Sequence, residues 1–226
     1  MAGDSNDLIL PSPGGEDTDA LVGVLAVQGD VREHRFAIEQ LGFRTRAVKR
    51  PADLEDLDAL TMPGGESSAM LMALDGQGLT EPLIEFVRSD KPVLATCAGM
   101  ILCATTVEGP KQRSFGVLDI HVVRNGYGRQ IRSGTFALST DHKDGLPDPI
   151  PGVFIRAPRI VDVGPGVEVL ARRGADAALV RSGRLFAACF HPELQDGHPV
   201  LELFARTVRQ SLAEASSVGH PRRLAR

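Results

Sequence analysis

The chain has no apolar run approaching the roughly 18 residues of a membrane-spanning helix, so no membrane span is expected. Its three cysteines in 226 residues make no disulfide framework and match no zinc-ligand spacing. That scarcity fits a reducing, cytoplasmic setting. His121, His142, His198 and His220 lack paired ligands at useful spacing, so no metal is expected. Charge of one sign is also missing, because 25 Lys and Arg stand against 29 Asp and Glu for a net −4. With no basic block there is no electrostatic reason to expect a nucleic acid. The N-terminus lacks a basic stretch followed by an apolar core, so no secretory signal is expected. No repeat recurs at a fixed period.

What is present is an ordinary globular balance, 42% apolar and 24% charged. At about 150 residues per domain the length allows one domain, or at most two. Residues 1–20, rich in Gly, Pro, Ser and Asp, are expected to be a flexible extension. Residues 213–226 end in HPRRLAR and are expected to be a solvated tail. Between them the pattern alternates. Leu21–Val27, Thr45–Val48, Asp58–Met62 and Pro92–Thr96 read as short buried strands. Val31–Leu41, Ser67–Leu74, Pro82–Ser89 and Ala98–Thr106 read as helices. The alternation predicts an α/β fold with a mostly parallel central sheet flanked by helices. The second half changes to short β-leaning segments at Leu118–Arg124, Gly134–Leu138, Gly152–Ile155, Val167–Arg172, Ala177–Arg181 and Leu185–Phe190. These are expected to be antiparallel additions, closed by a helix over Pro199–Glu214. A single domain over 21–212 accounts for the pattern.

Three segments can carry chemistry. In Thr96-Cys97-Ala98-Gly99 a buried strand runs into Cys97 and a helix starts directly after it. That is the layout of a nucleophile elbow, with small neighbours where backbones pass close together. The helix N-terminus favours a thiolate and offers the Ala98 N–H to a developing oxyanion. The alternative is a buried core cysteine. In Phe190-His191-Pro192-Glu193 a strand delivers His191 to its C-terminal end, where open α/β sheets place their sites. Pro192 is expected to keep the backbone extended, so that His191 and Glu193 project to one side. Such a carboxylate fixes the imidazole tautomer and completes a Cys-His-acid triad. By itself the segment could equally just end a strand. In Met62-Pro63-Gly64-Gly65-Glu66-Ser67 two glycines between strand and helix let backbone N–H groups turn toward a ligand. An ordinary serine-capped turn is the alternative there. The spacing and lysine of a phosphate loop are missing.

Together these segments resemble a class I, triad-type glutamine amidotransferase domain. LAVQGDVREH at 25–34, PGGESSAM at 63–70, TCAGM at 96–100, RNGYGRQ at 124–130, GVFIRAP at 152–158 and FHPEL at 190–194 narrow the match. In that order they resemble the glutaminase subunits of pyridoxal 5′-phosphate synthase, the PdxT/SNO family, over roughly residues 21–212. The resemblance implies a single three-layer, flavodoxin-like domain. It implies Cys97 as nucleophile, His191 as general base and acid, and Glu193 as the orienting acid. Gly64, Gly65 and the Ala98 N–H would form the oxyanion hole. Gly65, Glu66 and Ser67 would line the glutamine site, and Arg124, Ile155 and Arg156 would hold the amino-acid end of glutamine. Gln28 would couple the site to a partner, a PdxS/SNZ-like (β/α)₈ synthase that receives the ammonia. No cofactor is implied, since pyridoxal 5′-phosphate would be the product of the complex. The elbow's usual first glycine is Ala95 here, small enough for the turn.

Other residues read more plainly. Cys103 is expected in the core. Cys189 is expected to pack near the site, on the strand face of His191. His34 is expected at the partner surface, on resemblance alone, with plain solvation as the alternative. Two rival functions remain at this level: a different amidotransferase, and a silent α/β scaffold with no need for Cys97, His191 and Glu193 together.

Overall fold

A computed structural model describes residues 19–127 and 133–217. The expected N-terminal extension up to residue 18, Gly128, Arg129 and Gln130 of the RNGYGRQ segment, and the tail from residue 218 with His220 lie outside the described residues.

Seven strands build the main sheet: β1 (Leu21–Leu25), β2 (Arg44–Val48), β3 (Ala59–Met62), β4 (Val93–Thr96), β10 (Glu168–Arg173), β11 (Asp176–Ser182) and β12 (Leu185–Ala188). Their order is β10-β11-β12-β4-β3-β1-β2. The pairs β1/β2, β1/β3, β3/β4 and β4/β12 are parallel, while β10/β11 and β11/β12 are antiparallel. The expectation of a mostly parallel sheet with antiparallel additions is met. Every residue of β3, β4 and β12 is buried, as expected for strands covered on both faces.

Five helices flank the sheet: α1 (Val31–Gln40), α2 (Ser67–Gly76), α3 (Thr80–Arg88), α4 (Ala98–Cys103) and α5 (Pro199–Ser217). α2 packs against α3 and α4, and α4 lies on β3, β4 and β12. α5 reaches α1 through Arg209, whose Nη2 donates to the Leu41 carbonyl at 2.8 Å while its guanidinium stacks over Phe43. Two smaller sheets complete the chain. β5 (Ala104–Glu108), β6 (Leu118–Val123) and β9 (Arg159–Val163) form one, and β7 (Ser133–Leu138) with β8 (Ile150–Ile155) the other.

Four expectations are corrected. The helix after Cys97 stops at Cys103 instead of Thr106, because Thr105, Thr106 and Val107 are β-branched and pair with β6. β9 went unread, since Arg159 and Asp162 dilute its apolar pattern; it pairs antiparallel with β6. The last sheet strand ends at Ala188 and not at Phe190, and α5 runs on to Ser217 past the expected Glu214.

Candidate active site

β4 ends at Thr96, and Cys97 follows at φ 47°, ψ −103°, immediately before α4. A non-glycine residue in that region is strained, and the strain is the mark of a nucleophile elbow. The small residues around it have measurable reasons. A Cβ on Gly99 would sit 2.1 Å from the Met62 carbonyl, so the first turn of α4 closes on the end of β3 only with glycine there. Ala95 is fully buried in regular β4 register between Met62 and Ala187, so the departure from glycine is accommodated within the strand.

His191 lies just past β12. Its backbone N–H donates to the Val153 carbonyl of β8 at 2.9 Å, which fixes where the ring emerges. Pro192 does not extend the chain as expected. It opens a 3₁₀ turn over Pro192–Leu194, because its fixed φ suits the first position of a helical turn and its missing N–H is not needed there. The turn still brings the two side chains together, and His191 Nδ1 stands 2.8 Å from Glu193 Oε1. Both residues are buried, at 3% and 6% exposure.

The electrostatics of the group favour a charged imidazole beside a charged carboxylate. Burial opposes the charged His191 imidazolium, but hydrogen bonds with Cys97 and Glu193 outweigh it and push the ring up to about 10. Burial likewise opposes the Glu193 carboxylate. The pull of His34 and the hydrogen bonds of His191 and His34 outweigh it and hold that carboxyl well below its ordinary value. Asp30, with Oδ2 3.4 Å from His191 Nδ1, is raised, first by its own burial. Asp30, His191 and Glu193 place one ligand-type atom each within 4.8 Å of one another. The nitrogen common to those contacts is already paired with Glu193, so the cluster reads as acid-base machinery.

Two loops close over the pair. Gly64 packs so tightly on His191 that a Cβ would lie 2.3 Å from the ring's Cε1. The Gly64 carbonyl accepts the Asp30 N–H at 3.1 Å, and Gly29 opposite has φ +104° and no room for a Cβ. Gln28 Oε1 accepts the Glu66 N–H at 2.7 Å, so Gln28 does reach the double-glycine loop. Arg124 Nη2 pairs with Glu66 Oε1 at 2.6 Å and its Nη1 donates to Ser68 Oγ at 3.0 Å. Ser67 is buried and donates to Gln112 Oε1 at 2.9 Å. The structure thus gathers Gln28, Gly64, Gly65, Glu66, Ser67 and Arg124 in one region beside Cys97, His191 and Glu193. Ile155 and Arg156 are exposed where β8 ends, and Arg156 has φ 44°. They make no hydrogen bond or ion pair with that region among the described residues.

The other cysteines fit the plain reading. Cys103 and Cys189 are fully buried and burial pushes both thiols up to about 12. His198 uses both ring nitrogens, with Nε2 donating to the Pro151 carbonyl at 2.7 Å and Nδ1 accepting the Val200 N–H at 3.1 Å. His34 overturns its expectation. It is fully buried, not on the partner surface, and reaches both Thr96 and Glu193. The signal was in the helix period: His34, Ala37, Ile38 and Leu41 fall on one face. Asp30, Ser68 and Gln112 were also missed, and no local pattern singles them out.

Comparison with known proteins agrees with this geometry. The family model described as the SNO glutamine amidotransferase family matches residues 24–210. A Thermotoga sp. (strain RQ2) protein named pyridoxal 5′-phosphate synthase subunit PdxT is 45% identical over 188 residues, covering 83% of this chain and 99% of that protein. The Geobacillus kaustophilus protein of the same name is 44% identical over 195 residues, covering 86% and 98%. A solved glutamine amidotransferase structure is 39% identical at TM-score 0.76, covering 83% of this chain and 98% of its own. The structure of a putative GMP synthase protein from Thermoplasma acidophilum, 15% identical at TM-score 0.65, shares the fold; it covers 90% of this chain and 98% of its own. With a model match from the first strand to the last helix, the chain belongs to the SNO glutamine amidotransferase family.

Proposed function

We propose that this chain hydrolyses L-glutamine to L-glutamate and ammonia as the glutaminase subunit of a pyridoxal 5′-phosphate synthase. The observation that carries the reading is Cys97 on a strained elbow, beside an imidazole whose Nδ1 is held by a buried carboxylate. The Cys97 thiolate attacks the side-chain amide carbon of glutamine. The oxyanion is met by N–H groups at Ala98 and the Gly64–Gly65 loop. His191 gives its proton to the leaving nitrogen, ammonia departs and a glutamyl thioester remains. His191, now neutral, takes a proton from water, which attacks the thioester and releases glutamate. Glu193 keeps Nδ1 protonated and stabilises the imidazolium in both halves. Glu66, Ser67 and Arg124 supply acceptors and a cation for the amino-acid end of glutamine, with Ile155 and Arg156 at the rim.

The ammonia goes to a PdxS/SNZ-like (β/α)₈ synthase. The reading follows from relatives named as subunits of pyridoxal 5′-phosphate synthase. Gln28 and Asp30 pin the double-glycine loop by two hydrogen bonds, so a partner that shifts residues 28–30 would reset the oxyanion hole. We assign the chain no cofactor of its own, since pyridoxal 5′-phosphate is what the complex makes. We place it in the cytoplasm; among the described residues no helix is long and apolar enough to cross a membrane.

The test is ammonia and glutamate release from glutamine, with and without the synthase subunit. Activation by that partner, abolished by Cys97→Ala, supports the whole reading. Activity indifferent to it would keep the triad and assign the chain to another amidotransferase. No release from glutamine under either condition would leave the scaffold reading.

A further inference from the structure

We propose that His34 is a positioning residue for Glu193, selecting which carboxylate holds His191. The inference rests on the triad reading above. His34 projects from α1 into the interior, fully buried beside Ala37 and Ile38. Its Nε2 lies 3.2 Å from Glu193 Oε1 and 3.0 Å from Thr96 Oγ1. The same Oε1 faces His191 Nδ1 at 2.8 Å. His34 Nε2 hydrogen-bonds Thr96 Oγ1 and, from that position, faces the same carboxylate oxygen that His191 Nδ1 bonds, so two imidazoles flank Oε1. Glu193 Oε2 is buried with no partner among the described residues. The acid is therefore held through Oε1 alone, by two rings on two different elements.

The arrangement has a consequence for His191. Its Nδ1 has a second carboxylate within reach, Asp30 Oδ2 at 3.4 Å, on a half-exposed side chain. Glu193 is nearer and dry, so it wins while it is held in place. If His34 is removed, Glu193 loses one of the two rings that flank Oε1 and can rotate that oxygen away. His191 Nδ1 is then free to turn to Asp30, which carries the Nε2 edge away from Cys97. Thr96, the residue before the nucleophile, anchors the other side of the His34 hydrogen bond. The groups that face Glu193 and His191 are thus Asp30 from the β1–α1 turn, His34 from α1, Cys97 from the elbow, and His198 from just before α5. His34 is the one that contacts the acid without belonging to the reacting pair.

The experiment is glutaminase kinetics on the full chain with the synthase subunit present, for His34→Leu, His34→Gln, Glu193→Gln and the His34→Leu/Glu193→Gln double variant. Folding of each is checked by thermal unfolding. His34→Leu is expected to lower kcat about 10-fold with KM within about twofold, the scale of lost outer-shell orientation. His34→Gln, whose amide N–H can take the place of Nε2–H, should recover most of it. In the Glu193→Gln background, His34→Leu should cost nothing further, because the residue acts through that carboxylate. An unchanged kcat in folded His34→Leu overturns the proposal. So does a loss that Gln does not restore and that multiplies fully with Glu193→Gln, which is the signature of packing alone. If His34→Leu does not fold, Thr96→Val replaces it in the same cycle, with an expected loss of about threefold that vanishes on Glu193→Gln. There too, independence of Glu193 overturns the proposal. Cys97→Ala is run alongside: ammonia release that survives it refutes the triad itself, a failure distinct from any result at His34.

Discussion

Replacing Gly64 with alanine tests whether the double-glycine loop sets the position of His191. A Cβ at Gly64 would stand 2.3 Å from His191 Cε1 and 2.9 Å from Asp30 Oδ2. Ordinary contact begins near 3.4 Å, so the ring must retreat by about 1.1 Å, or the loop must lift by as much. The ring cannot retreat freely, because its Nδ1 is tied to Glu193 and its backbone to Val153. A misplacement of about 1 Å at a reacting group costs about 100-fold in rate. The cost to the fold is smaller, about 1 kcal/mol for a side chain pushed off its rotamer. Gly64→Ala should therefore lose about two orders of magnitude in ammonia release while its Tm moves by only a few degrees. Gly76→Ala is the control, since a Cβ there meets nothing within 4 Å. Activity of Gly64→Ala within about threefold of the parent, in a folded protein, would refute the argument that this contact holds the imidazole.

The same geometry makes further demands. Gly99→Ala should destabilise by about 2 kcal/mol or more, since its Cβ would lie 2.1 Å from a backbone carbonyl that cannot swing away; chemical denaturation reads the loss. Iodoacetamide at pH 7.5 should modify Cys97 alone, with Cys103 and Cys189 both held near pKa 12; peptide mass spectrometry would show a second modified cysteine if that is wrong. His191 is raised from 6.5 to about 10 in the fold, so its contribution to stability is complete below pH 6.5 and disappears as pH rises through about 10. Tm should fall between pH 7 and pH 10, and fall less in Cys97→Ala, where one of the bonds sustaining that shift is gone.

The parts of the site legible in the sequence were those whose chemistry depends on local backbone. Cys97 could be read because an elbow needs a buried strand, a small pair and a helix start in adjacent residues. The double glycine could be read because close backbone approach permits little else. His191 and Glu193 could be paired, although the local conformation between them was misjudged: Pro192 starts a turn where an extended segment was expected. The fold class followed from buried apolar runs separated by amphipathic segments. The elements that escaped were β5 and β9, where threonines and charges hide the strand period and pairing with β6 decides the outcome. Gln112 and Asp30 escaped for a different reason. Their roles are set by loops meeting across long stretches of chain, 45 residues in the case of Gln112 and Ser67, and no spacing rule encodes that.

His34 shows how the two kinds of information combine. The motif that contains it pointed outward, toward a partner, while the helical period of the same residues pointed inward. Period decides, because a helix face that carries Ala37 and Ile38 into the core carries His34 with them whatever the motif is for. A polar ring forced into the interior must then find partners, and those within reach are the Thr96 hydroxyl and the Glu193 carboxylate. α1 thereby joins its buried face to the triad, while Arg32, Glu33 and Phe36 from the same helix line an open cleft with Leu194 and Asp196. One helix touches both the reacting group and the surface next to it.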